Sequence, residues 1–201
     1  MTKSSKKNST SRHKQNEICG FPLPKESKLP EEIRVIFAKC LEKLGFVPNV
    51  FRAYTLRPKK FEYFRSYNSE LMVGESGLSK LEREIIAVVV SSANRCHYCI
   101  IAHSAAVRQL SKNVELGDTV AVNYRLAKLN KRQKAMCNFA WKLTTEPHIV
   151  GEKDRNELKK NGFSMEEIFD IVEVIGFYNM SNRLASGLSI IPNNEYYSLG
   201  R

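Results

Sequence analysis

Residues 79–103 read Ser79-Lys80-Leu81-Glu82-Arg83-Glu84-Ile85-Ile86-Ala87-Val88-Val89-Val90-Ser91-Ser92-Ala93-Asn94-Arg95-Cys96-His97-Tyr98-Cys99-Ile100-Ile101-Ala102-His103, and the first half of this stretch decides the fold. Val88 to Val90 alone has the composition of a buried strand. However, Ser79 and Glu82 stand at capping-box spacing, and the apolar run from Leu81 outlasts an ordinary strand. The spacing predicts a helix over 81–93, and a second from about His97 to Leu110.

The same signals continue in both directions. Ile33, Ile36, Phe37, Cys40, Leu41 and Leu44 form a helical stripe ended by Gly45. Pro48 opens a piece with Val50, Phe51 and Tyr54 on one side, and Pro58 starts a helix that stops at Gly74. Gly117 interrupts the stretch after 110. Asn130 begins a helix ended before Pro147, a short charged helix runs near 154–160, and Ser164 and Glu167 repeat the capping-box spacing. The fold class is all-α. A shift of 85 residues aligns Gly77, Ser79, Glu82 and Asn94 with Gly162, Ser164, Glu167 and Asn179, while Cys96, Cys99 and His103 meet Ser181, Leu184 and Leu188. Either a helix pair was duplicated and its second copy lost its chemistry, or two well-capped buried helices look alike.

The chain has 201 residues, 42% of them hydrophobic and 26% charged, which fits one domain with its own core. No apolar run approaches the length of a bilayer span. The formal net charge is +11, and Lys3, Lys6, Lys7, Arg12 and Lys14 concentrate five positive charges near the start. Residues 1–17 read as a disordered basic tail without the apolar segment of a secretory signal, and residues 18–201 as one all-α domain. No aromatic interleaving or recognition motif supports a nucleic-acid arm. Five cysteines, an odd number, do not suggest a disulfide framework, so a reducing cytoplasmic location is expected.

Cys96 and Cys99 sit three apart at a helix start, where their sulfurs share a face and the helix dipole favours a thiolate. His103 follows one turn after Cys99, in register to take its proton or stabilise its charge. Glu84 is a carboxylate beside a run that is apolar all round; it either points to solvent or orients His103. Tyr98 is a donor to a thiolate or peroxide oxygen, or packs at the helix start. Asn94 is expected to cap the second helix, and His97 to lie at the surface. Cys19, Cys40 and Cys137 have no partner pattern.

Glu84, Cys96-x-x-Cys99 and His103, with the carboxylate twelve positions before the first cysteine, resemble the active-site signature of the alkylhydroperoxidase D family, within the carboxymuconolactone decarboxylase-like superfamily. The resemblance is strongest over about Ser79 to Val107. It implies an all-α fold, often duplicated and assembled as homo-oligomeric trimers or hexamers. It also implies a thiol-dependent peroxidase or disulfide-exchange activity without a cofactor. Tyr98 stands where the founding members have a relay histidine, which is more like the peroxidase-related subgroup. The cysteine pair itself departs from members that decarboxylate carboxymuconolactone.

On this reading Glu84 orients His103, His103 takes the Cys99 proton, and Cys99 attacks a hydroperoxide. Cys96, expected to be the more exposed, then closes a disulfide that an external dithiol reduces. The helix dipole pulls the other way, towards Cys96 as the lower-pKa thiol. The alternative from another class is a zinc site built from Cys96, Cys99 and His103 with Glu84 or His97. Covalent haem attachment is excluded by motif, since Ile100 follows Cys99.

Overall fold

A computed structural model describes residues 18–201; the expected basic tail, 1–17, lies outside the described residues. Ten α-helices follow one another: α1 Glu31–Leu44, α2 Asn49–Tyr54, α3 Pro58–Val73, α4 Lys80–Ala93, α5 His97–Ser111, α6 Val114–Asn123, α7 Lys131–Thr145, α8 Glu152–Lys160, α9 Met165–Gly187 and α10 Glu195–Ser198. There is no strand among the described residues, and no helix there is long and apolar enough to cross a membrane.

The segment that looked like a strand is the axis of the bundle. Every residue from Ile85 to Val90 is 0% exposed, because α5, α6, α7 and α9 all pack against α4. Burial on all sides removes the need for a polar stripe over these six residues. Each of its Ile and Val side chains gains about 2 kcal/mol from leaving water. The capping box forms as the spacing required: Ser79 Oγ accepts the Glu82 N–H at 3.2 Å, and Glu82 Oε2 accepts the Ser79 N–H at 2.9 Å. Buried Arg83 donates to the carbonyls of Leu71, Gly74 and Leu78, satisfying the C-terminal end of α3.

The 85-residue correspondence has a physical counterpart in α4 and α9, which pack together. Ser164 and Glu167 repeat the capping box at 3.1 and 2.7 Å. Arg132 of α7 joins the two caps, donating to Glu82 Oε1 at 3.2 Å and to Glu167 Oε1 at 2.5 Å. Asn94 Nδ2 donates to its own counterpart, Asn179 Oδ1, at 3.1 Å. The likeness ends there: α9 runs unbroken through Ser181 and Leu184, where α4 gives way to a turn and α5. One capped helix is matched, not a pair.

Two local expectations are corrected. Gly117 does not interrupt a helix but lies within α6, where α5 crosses so closely that a Cβ would fall 2.5 Å from Arg108 Cγ and 2.9 Å from the Ser104 carbonyl. Asn94 does not cap α5. It closes α4, and its side chain turns to Asn179 and Asn182 of α9.

Candidate active site

The cap of α5 is Cys96 itself. Arg95 adopts a left-handed conformation (φ 54°) that reverses the chain, and the Cys96 N–H donates to the Ser91 carbonyl at 2.9 Å. Cys96 then takes the extended backbone of an N-cap residue, although its side chain makes no cap hydrogen bond. Cys99 occupies the third helical position, whose backbone N–H has no partner inside the helix. The Cys99 thiol and backbone N–H and the Ser186 hydroxyl are neighbours of the Cys96 sulfur that favour its thiolate. The Cys99 thiol is the strongest influence; against the opposing cost of burial, and with smaller help from the backbone, Ser186 and His103, the Cys96 pKa is lowered to about 6. Cys99 moves the other way, raised by its bond to Cys96 and by burial, with hydrogen bonds from Asn182 and Ser91 partly offsetting. Charge is therefore favoured on Cys96 and opposed on Cys99.

Both cysteines are reduced and buried, Cys96 at 1% and Cys99 at 2% exposure, so Cys96 is not the more exposed of the two. What distinguishes them is the side each one faces. Cys99 lines a cavity of about 290 Å³ together with Glu84, His103, Tyr98 and Tyr178, walled by apolar groups that include Val50, Phe51 and Phe64. Cys96 lines a separate cavity of about 310 Å³ with Arg95, His97, Ser186 and Ser189. His97 is exposed, as expected, and its Nε2 lies 3.3 Å from the Tyr197 hydroxyl.

Glu84 does not point away to solvent. Its Oε2 lies 2.7 Å from His103 Nδ1, and both side chains are mostly buried. A carboxylate only accepts, so Nδ1 carries the hydrogen and Nε2 is left as the proton-accepting atom of the ring. Of the two uses expected of Tyr98, the structure shows packing. Its hydroxyl accepts the Val50 N–H at 3.3 Å and its ring sits edge-on to Tyr196, so it ties α5 to α2 and walls the cavity. Cys137 is buried in the main core, which pushes its thiol up, and Cys40 is raised more modestly by burial. Cys19 packs in the same small cluster as Cys96 and Cys99. Among the described residues no three His, Cys, Asp or Glu side chains converge as metal ligands, so the donors of the zinc alternative do not form a site.

Sequence reasoning missed the contribution of α9. Tyr178, Asn182 and Ser186 recur every four residues and form one stripe. Against it runs the α5 series His103, Cys99, Cys96. Tyr178 meets the His103 ring edge-on, with centroids 4.6 Å apart, Asn182 serves Cys99, and Ser186 serves Cys96. Asn182, 1% exposed, also donates to Ser91 Oγ at 3.0 Å and accepts from Asn94 at 2.9 Å, linking the sulfurs to the turn that carries them. The readable signal was this polar stripe on an otherwise apolar helix.

The carboxymuconolactone decarboxylase family model matches residues 58–136. The chain is similar to the structure of an uncharacterised peroxidase-related protein from Silicibacter sp. TM1040, at 47% identity over 94% of this chain and 100% of that one, with a TM-score of 0.90. It is also similar to an uncharacterised peroxidase-related protein with an alkylhydroperoxidase AhpD core from Ralstonia eutropha JMP134, at 41% identity over 92% and 97% of the two chains, TM-score 0.89. The debrominase Bmp8 shares the fold at 19% identity, covering 92% of this chain and 96% of its own, TM-score 0.75. A comparison with curated proteins found no match. With sequence similarity extending over nearly the full length of two solved relatives, the chain belongs to the alkylhydroperoxidase D and carboxymuconolactone decarboxylase superfamily.

Proposed function

We propose that the protein is a thiol-dependent hydroperoxide reductase of antioxidant defence. The observation that carries this reading is the placement of Cys99 in one apolar cavity with the Glu84–His103 pair, while Cys96 contacts it from the opposite side. Cys99 gives its proton to His103 Nε2 as its sulfur attacks the terminal oxygen of a hydroperoxide. The O–O bond breaks, Cys99 becomes a sulfenic acid, and His103 returns the proton to the leaving oxygen, which departs as an alcohol. The Cys96 thiolate then attacks the Cys99 sulfur. Hydroxide leaves, is protonated to water, and a disulfide joins the pair.

An external dithiol restores the enzyme by attacking the Cys96 sulfur from the second cavity, and is itself oxidised to a disulfide. The lowered pKa of Cys96 suits it to wait as the resolving thiolate, while the apolar walls around Cys99 favour an organic hydroperoxide. Exposed Met165, Phe169 and Val172 on α9, with Tyr63 and Tyr67 on α3, support assembly as a homo-oligomer, with the trimer or hexamer of the family resemblance as the expected form. The test is hydroperoxide consumption with several candidate dithiols, comparing the native protein with Cys99→Ser and His103→Gln. Equal turnover in all three sinks the proposal. Sulfenate trapped on Cys96 and never on Cys99 reverses the order of the two sulfurs.

A further inference from the structure

We propose that Tyr178 is a further catalytic residue, its phenol donating a hydrogen bond to the hydroperoxide oxygen that leaves; this rests on the hydroperoxide reading above. Tyr178 is 2% exposed, yet its hydroxyl has no hydrogen-bond partner among the described residues. Such a group is costly to bury, and a phenylalanine would fill the same space without that cost. The hydroxyl therefore serves something other than stability.

Its position says what. Tyr178 lines the cavity that holds Cys99, Glu84 and His103, one turn of α9 before the Asn182 that serves Cys99. Its ring stands edge-on to His103 at an interplanar angle of 79°. Asn68, which lines the same cavity, makes no hydrogen bond to the phenol. The other cavity phenol at the cysteines, Tyr98, accepts the Val50 N–H and so is not an orphaned buried group as the Tyr178 hydroxyl is. Burial, reinforced by the charge of Glu84, pushes the Tyr178 phenol well above its usual range, so it stays a donor and does not act as a base.

In the step, Cys99–SH and ROOH become Cys99–SOH and ROH. The Cys99 sulfur forms a bond to the terminal oxygen, the O–O bond breaks, and the proton travels from Cys99 through His103 to the RO oxygen. Tyr178 keeps its own proton throughout and holds the RO oxygen as negative charge develops there.

The experiment compares the full-length, reduced native protein with Tyr178→Phe in rapid oxidation by tert-butyl hydroperoxide and by a peracid, whose carboxylate leaves without help. The expected result is a loss of about 100-fold or more in the second-order rate with tert-butyl hydroperoxide. The peracid reaction should be nearly unaffected, the Tm equal or higher, and re-reduction by dithiothreitol unchanged. Unchanged oxidation by tert-butyl hydroperoxide overturns the assignment, as does an equal loss with both oxidants. A large fall in Tm refutes the premise that the hydroxyl lacks a partner. If the native protein reacts with neither oxidant, the hydroperoxide reading itself fails, and the role of Tyr178 fails with it.

Discussion

Replacing Cys99 with alanine should raise the pKa of Cys96 sharply. The Cys99 thiol is the strongest of the influences that hold Cys96 at about 6, and burial opposes them. At that value roughly nine-tenths of Cys96 is thiolate at pH 7; at the ordinary 9.0 the fraction is about 1%. Cys99→Ala removes the thiol donor but keeps the backbone N–H, the Ser186 bond and the cost of burial. The midpoint is therefore expected to climb by about 2 units, with the thiolate fraction at pH 7 falling roughly tenfold. Cys99→Ser keeps a hydroxyl donor and should move it less. Thiolate absorbance in the ultraviolet, followed against pH on reduced protein, reads the midpoint without requiring access to a buried sulfur. Subtracting the curve for Cys96→Ser isolates the group of interest. A midpoint that stays near 6 in Cys99→Ala would refute the account of the pair, as would a low midpoint that survives Cys96→Ser.

The charges and buried contacts of the molecule lead to three further outcomes. Because the folded-state pKa of Cys96 lies below the unfolded one, the folded protein binds fewer protons between about pH 6 and 9. Reduced protein should gain stability as pH rises through that window, by at most about 1.4 kcal/mol per unit, and lose it as pH falls through 6. Denaturant melts across the window check this, and Cys96→Ala should flatten the slope. Arg132→Ala should destabilise by about 2 kcal/mol by stranding Glu82 and Glu167, seen as a lower urea midpoint with little change at the sulfurs. Buried Arg108 holds the C-terminal segment through the carbonyls of Tyr196 and Leu199 at 2.7 and 3.0 Å, and both residues line the Cys99 cavity. Arg108→Ala should therefore raise the KM for hydroperoxide several-fold while leaving dithiothreitol reduction of the disulfide intact.

Much of the scaffold was legible because helix ends are written in local chemistry. Ser79 with Glu82 and Ser164 with Glu167 announce their caps within four residues, and that was enough to overrule the strand-like valines. The cysteines, His103 and Glu84 were legible because those side chains are scarce on apolar helices. Three things were not. Gly117 looked like a break because a sequence does not show the crossing helix that needs its bare Cα. Cys96 was not read as the N-cap position because cap preferences describe oxygen acceptors, and the left-handed turn at Arg95 that places it there is not written in local sequence. Tyr178, Asn182 and Ser186 passed as interior residues because none is reactive alone. Their meaning comes from the antiparallel helix opposite, more than seventy positions away.

The separation of the two sulfur-lined cavities has a kinetic consequence. If oxidant and reductant meet the same dithiol from opposite walls, neither has to vacate its seat for the other to bind. Double-reciprocal plots should then be parallel, as in any shuttle that alternates between two forms, yet excess reductant should not slow turnover by crowding out the hydroperoxide. Traffic through the molecule would run one way, with electrons arriving at one door and leaving by another.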